Sequence, residues 1–272
     1  MEIFYLPLQD VPRLCVLHRP DRAGGEAGAF VYVHPFADEM NKTRRMAALQ
    51  SRALAAAGWI VLQIDLFGCG DSAGDFAEAT WSRWVDDVVD ASVWLRQQYG
   101  FAPMLWGTRV GCLLAAEASQ RMPAPPNLLF WQPVVSGKRF MQQFLRLKLA
   151  TQLFGGDDRE RESTEGLRQQ LTRGQSVEIG GYQLSPALAL AIDKSELSPP
   201  KAPARAAWFE ILSGPEASIS PALQTRLQAW EASGVPVDVH AIEGPAFWQT
   251  QELSECPDLI DASVSAVERW RR

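Results

Sequence analysis

The residues whose types and spacing most clearly invite chemistry are Gly107-Thr108-Arg109-Val110-Gly111. The apolar run "FAPMLWG" leads into the first glycine, and the alanine-rich segment "CLLAAEAS" follows from the second. A glycine on each side of one central residue, between a strand and a helix, is the layout of a nucleophile elbow, a turn that lifts a side chain above a sheet. The glycines relieve crowding where the backbone is strained. Covalent acyl transfer through such a turn needs serine, cysteine or aspartate at its centre. The centre here is Arg109. A guanidinium stays protonated at physiological pH and is neither nucleophile nor base. It can instead grip an anion through two parallel N–H donors. The N–H of Val110, at the start of the following helix, favours the same charge.

The elements that must position this turn can be read from the periodicity. "EIFYLPL" and "RLCVLHR" are two short strands around a hairpin at Asp10–Pro12. "AFVYVHP" (29–35) is a continuous apolar run stopped by proline, as a buried parallel strand would be. Met46, Leu49, Ala53, Leu54 and Ala57 recur at helical spacing, and Gly58 ends that helix. "WIVLQIDL" (59–66) is the next strand and runs into the glycine-dense loop "FGCGDSAGD". Trp81, Trp84, Val85, Val88 and Leu95 form one face of a helix over 80–99. A strand through "FAPMLWG", a helix over 110–121 and a strand at "NLLFWQP" (127–133) continue the alternation. Strand and helix in turn, with short connections, imply a parallel sheet covered on both faces.

The alternation breaks over 136–204, which reads as helix-like and charged, with "GGDDRERESTEG" and "SPPKAP" as flexible pieces. It resumes with "AAWFEILSG", a helix over 220–233, the strand "VPVDVHAIEG" and a closing helix marked by Ile260, Val264 and Val267. The organisation expected is a core over 1–135, a lid-like insertion over 136–204, and a core over 205–272.

Composition narrows the function classes. The 272 residues are 47% hydrophobic, enough for a sizeable core, and the net charge of −6 argues against a general nucleic-acid binder. Cys15, Cys69, Cys112 and Cys256 include no C-x-x-C pair, so neither a disulfide framework nor a zinc site is expected, and no metal or cofactor is read. "MEIFYLPLQD" lacks the basic start of a signal peptide, and no apolar run approaches a membrane span. A cytoplasmic location is the expectation. The ten tryptophans read as core.

In the order of three loops the chain resembles the α/β-hydrolase superfamily over nearly its whole length. His34-Pro35-Phe36 stands where those proteins often have an oxyanion donor, "DLFGCGDSAG" resembles their D-x-x-G-x-G-x-S-x-G loop, and the elbow frame follows. The chain resembles more closely a bacterial subfamily, the exosortase A system-associated hydrolase 2 proteins. The segments that carry this are "VHPFADEMNKTRRM", "LWGTRVGCLLAAE", "LFWQPVVSGKRFMQQFLRLK" and "GPAFWQTQE". The resemblance implies an α/β-hydrolase fold with a helical lid, and an arginine in the elbow as a usual feature. It also implies partners from a system that sorts exported proteins and makes exopolysaccharide.

Set against that superfamily, the triad is incomplete. Its histidine follows the last strand, where "EGPAFWQTQE" has Pro245 and Ala246. His240 falls too early and reads as a strand-face residue; His18 in the hairpin reads as exposed. His34 points toward the site from the oxyanion loop. The acid position falls in "GPEASIS", which offers Glu216. Oxyanion donors would be the N–H groups of Val110 and of Phe36 or Ala37, since Pro35 has none. Counter-charges for Arg109 could come from Glu39, Asp38, Asp65 or Glu216. No confident catalytic residue remains. The candidate ligand-binding set is Arg109, Val110, His34, Phe36, Ala37, Glu39, Glu216 and Trp248. Thr108 and Cys112 read as packing, and Ser72 and Cys69 as turn residues. Three functions stay open: a pseudoenzyme binding a small anionic or polar ligand or a partner, an ester or thioester hydrolase of non-standard mechanism, and a purely structural interaction protein.

Overall fold

The computed structural model describes residues 1–21, 26–154, 163–201, 204–214 and 218–271. Its opening hairpin pairs β1 (Glu2–Leu8) with β2 (Val11–His18), closed by Gln9 and Asp10 at φ 50° and 62°. The apolar runs that follow become β3 (Gly28–Val33), β4 (Trp59–Ile64), β5 (Met104–Thr108) and β6 (Leu128–Trp131). They alternate with α1 (Asp38–Ala56), α2 (Trp81–Tyr99) and α3 (Val110–Arg121). Thr80 caps α2 by accepting from the Arg83 N–H, and Gly100 ends it at φ 79°, a left-handed conformation that glycine adopts without a Cβ clash.

The chain then forms α4 (Gly137–Phe154), α5 (Thr164–Thr172), a small hairpin of β7 (Val177–Ile179) and β8 (Tyr182–Leu184), and α6 (Pro186–Lys194). The chain returns through β9 (Ala206–Leu212), α7 (Pro221–Ala232), β10 (Val237–Glu243) and α8 (Pro257–Glu268). The main sheet has the order β1-β2-β4-β3-β5-β6-β9-β10. It is parallel from β4 to β10, and β1 and β2 are antiparallel.

Side chains alternate across the strands into two cores. On one face Val31, Leu105 and Trp208 meet Val88 of α2, Leu113 of α3 and Trp230 of α7. On the other Trp59, Trp106 and Trp131 meet Met46 of α1 and Leu259 and Val267 of α8. All the tryptophans except Trp94 are buried. The Trp131 indole N–H donates to Ser263 Oγ at 2.8 Å, and that of Trp230 to the Leu197 carbonyl at 2.9 Å. Among the described residues no helix is long and apolar enough to cross a membrane.

Two sequence readings are corrected here. His18 is 3% exposed, not at the surface. It pairs across β4 with Val61, so the end of β2 is covered rather than free. The stretch 136–204 is not helical throughout. "VEIGGYQL" forms the β7–β8 hairpin, with Gly180 at φ 56° and Gly181 at φ 84°, the pair of positive angles that a two-residue turn of matching twist requires. Most of the charged patch "GGDDRERESTEG", at 155–162, lies outside the described residues, as do 202–203 of "SPPKAP".

Candidate functional site

Two strand-to-helix turns at the carboxyl edge of the sheet carry the site. Arg109 lies between β5 and α3 at φ 56°, ψ −120°, and Ala37 precedes α1 at φ 52°, ψ −129°. Non-glycine residues held there cost on the order of 1–3 kcal/mol each, so the surrounding packing must impose them. The packing at the first turn is visible. A Cβ on Gly107 would sit 2.8 Å from the backbone of Cys112, and one on Gly111 would meet the His34 carbonyl at 2.7 Å and the Val33 carbonyl closer still. Both elbow glycines therefore let α3 press against β3 and β5. Gly111→Ala is expected to lower stability by about 1–3 kcal/mol, because the obstacle is backbone and cannot swing aside. Urea denaturation would measure this, and a loss below about 0.5 kcal/mol would show that the turn is looser than the geometry implies.

The Arg109 side chain turns toward the other loop. Its Nε lies 3.3 Å from both carboxylate oxygens of Glu39, and Nη2 lies 3.2 Å from Oε1. Its guanidinium carbon stands 5.2 Å from the centroid of the Trp248 ring, within cation–π range. The two charged side chains are 16% and 21% exposed, so the pair is mostly but not wholly withdrawn from water. Burial pushes the Glu39 carboxyl up, and Arg109 offsets part of that. Of the carboxylates considered for Arg109, Glu39 makes this contact. Asp65 instead binds Arg44 at 2.9 Å, and Asp38 binds Lys42 at 2.9 Å.

No side chain caps α1 or α3; the Glu39, Met40 and Cys112 N–H groups donate to the Phe36, Ala37 and Arg109 carbonyls, while those of Ala37 and Val110 have no acceptor among the described residues. Phe36 fixes the α1 loop. Its ring is 3% exposed and stands at the centre of an aromatic cluster, edge-on to Phe76, Phe140 and Phe144 at centroid separations of 5.5, 5.7 and 5.0 Å. Phe140 and Phe144 belong to α4, so that helix rests directly on the loop that carries Ala37. Tyr182 adds a second anchor through Phe76 at 5.1 Å and a hydrogen bond from Asn41 at 3.2 Å.

His34 has both ring nitrogens committed. Nδ1 is 2.7 Å from the Pro35 carbonyl, and Nε2 accepts from the Leu66 N–H at 3.2 Å. An imidazole donating at one nitrogen and accepting at the other is neutral, and burial lowers its pKa, consistent with that state. His34 thus ties the loops after β3 and β4 together. His240 lies on β10 and stacks on Phe209 at 4.6 Å. Ser72 is part of the turn: its hydroxyl donates to the Asp65 carbonyl and accepts from the Leu14 N–H at 2.8 Å. Cys112 is fully buried, and burial pushes its thiol well up, so it is no nucleophile. Glu216 lies outside the described residues. After β10, where a base histidine would follow in related folds, Phe247 and Trp248 are packed at 1% and 5% exposure.

One buried carboxylate was not singled out from the sequence. Glu210, on β9 next to the site, is 8% exposed, and its Oε2 has no hydrogen-bond partner among the described residues. Burial raises its pKa to about 7 despite the nearby charge of Arg109. The available signal was a lone carboxylate inside "AAWFEIL", an otherwise apolar strand.

No protein-family model matches the chain, and no curated protein matches it in sequence. Solved structures do match in shape. Est1E from Butyrivibrio proteoclasticus, with ferulic acid bound, is 15% identical and superposes with a TM-score of 0.70, covering 98% of each chain. The α/β hydrolase GrgF from Penicillium sp. sh18 is 14% identical with a TM-score of 0.65, over 99% of this chain and 98% of its own. XC6422 from Xanthomonas campestris, an α/β serine hydrolase without a lid, is 15% identical with a TM-score of 0.61, over 99% and 94%. The chain has the α/β-hydrolase fold, a mostly parallel central sheet with helices on both faces.

Proposed function

We propose that this protein keeps the strained turns of the α/β-hydrolase fold but uses them for binding, taking a small anionic or polar ligand at Arg109 rather than hydrolysing esters. The observation that carries this reading is the guanidinium of Arg109 in the elbow conformation, at the position where the chemistry needs a nucleophile. Trp248 packs against it from the loop where the base would follow. Two uncapped helix starts and a cation with one internal counter-charge suit an oxyanion. The resemblance to the exosortase-associated subfamily supports a place in an envelope-polysaccharide or protein-sorting system, with partners drawn from it. The insertion over α4–α6, resting on Phe36, would serve as the lid of the site.

The reading is tested by two measurements on the wild-type protein. Fluorophosphonate probes should leave it unlabelled, and short acyl esters should turn over no faster than in buffer, because nucleophile and base are both missing. Calorimetry should detect sulfate binding near pH 6. Arg109→Ser should stay inactive, since a serine without a base is not activated. Stoichiometric probe labelling of any side chain would instead establish the non-standard ester or thioester hydrolase. Absence of sulfate binding would leave the structural role of the Arg109–Glu39 pair as the better account.

A further inference from the structure

The end of the sheet opposite the elbow carries a groove of its own. Gly100, at φ 79°, turns the chain out of α2 toward β5, and Met122, followed by Pro123, ends α3 in extended backbone. Between these two helix ends lies an open cavity of about 380 Å³, within the range of about 300–1,000 Å³ typical of small-molecule sites. Val89 and Val93 of α2, with Pro103, Met122 and Pro123, make its apolar wall. Val93 is left 41% exposed there, while α2 buries Val85, Val88 and Leu95 on its core face. The two prolines fix φ and hold the wall in shape before any ligand arrives. Pro103 stands just before β5 and Arg109 just after it, so the five residues of that strand, roughly 16 Å, separate the groove from the elbow.

The charge of the groove has one sign. Arg96 is the only charged residue in its lining. Among the described residues its guanidinium has no ion-pair or hydrogen-bond partner, and neither has the side chain of Gln97 beside it. The three acidic residues of α2 are all committed elsewhere. Asp86 pairs with Arg121 at 2.9 Å, Asp87 with Arg13, and Asp90 accepts from Gln9 at 3.3 Å. Ser92, the remaining polar residue of the lining, donates to the Val88 carbonyl at 2.8 Å. A ligand that matches this surface is mostly apolar and carries one negative end. We propose that the groove binds a medium-chain carboxylate, with the chain along Val89, Val93 and Met122 and the carboxylate on the guanidinium of Arg96. The apolar wall supplies most of the affinity, and Arg96, at the solvent side, selects the end group.

Octanoate is the probe, and its neutral isostere octanamide is the control. Calorimetry on the wild-type protein should detect octanoate binding, with octanamide about fivefold weaker, the discrimination that an ion pair open to water can give. Arg96→Gln should bind the two ligands equally. Val93→Asp, checked for folding by its thermal melt, should weaken both about tenfold or more, because it sets a charge in the apolar wall. With the methionine ε-methyl groups labelled, the Met122 resonance, assigned through Met122→Leu, should shift as octanoate is added. Arg109→Ala should bind octanoate as the wild type does, so a failure of sulfate to bind at the elbow leaves this groove standing. No octanoate binding by the wild type, or binding that Val93→Asp leaves unchanged, overturns the site. Equal wild-type affinity for octanoate and octanamide overturns the choice of a carboxylate. Loss of octanoate binding in Arg109→Ala, with the wild-type Met122 signal unmoved, places the carboxylate at the elbow and overturns the groove.

Discussion

Asp87→Ala is expected to lower the unfolding free energy by about 3–5 kcal/mol, because it leaves a buried guanidinium without its counter-charge. Arg13 of β2 and Asp87 of α2 are both fully buried. Nε of the arginine donates to Oδ2 at 2.9 Å, and Nη2 lies 2.8 Å from Oδ1 as an ion-pair contact. Asp87 also accepts the Phe67 N–H at 2.8 Å, and the Trp84 indole donates to the Phe67 carbonyl at 2.9 Å. The Phe67 ring has the guanidinium carbon of Arg83 3.4 Å from its centroid and that of Arg13 at 5.0 Å. One aspartate therefore joins β2, α2 and the start of the glycine-rich loop. With Asp87 removed, Arg13 keeps the Val11 carbonyl at 2.9 Å, an uncharged acceptor. Urea melts should show the loss, and a thermal midpoint about 10 °C lower should accompany it. The double variant Arg13→Met/Asp87→Leu should recover most of the stability, since it leaves no uncompensated charge. A loss below about 1 kcal/mol for Asp87→Ala would show that water reaches the pair.

The elements that position the site were legible because each carries a local signal. An apolar run ended by proline gives β3, Thr80 and Gly100 bound α2, and the glycine frame marks the turn at Arg109. The β7–β8 hairpin also had a signal, two glycines inside the alternating run "VEIGGYQL", but the charged residues around it pulled the reading toward helix. What could not be read was pairing across distance. Glu39 and Asp38 are adjacent and equally acidic in sequence. Only the direction of each side chain at the start of α1 sends one to Arg109 and the other to Lys42. The Arg13–Asp87 pair spans 74 positions and leaves no local trace. His18 was misread for the same reason, since β4, which covers it, lies more than forty positions downstream in the chain. Glu210 shows the limit from the other side. Its type was conspicuous in an apolar strand, but that its Oε2 has no partner among the described residues is a property of the fold alone.

Arg109→Ala should weaken sulfate binding at pH 6 by about ten- to a hundredfold, the effect of removing charge-assisted donors worth about 1.5–3 kcal/mol. The same change should cost the fold much less. The contacts of Arg109 to Glu39, at 3.2–3.3 Å, are longer than the roughly 2.7–2.9 Å of a tight charge-assisted bond, and both side chains keep some contact with water. Such a loosely joined pair contributes about 1 kcal/mol or less. Glu39 competes with an incoming anion for the same guanidinium, so Glu39→Gln should have the opposite effect and raise sulfate affinity by about tenfold. It keeps the shape of the side chain and removes only the charge. The two variants therefore separate the roles of the pair: a ligand-binding arginine held in reserve by its glutamate gives opposite signs in calorimetry with small changes in thermal melts. A purely structural ion pair gives the reverse pattern, with both variants melting many degrees lower and neither changing sulfate affinity. That outcome would assign the strained turn at Arg109 to packing and remove the reason for reading the site as an anion receptor.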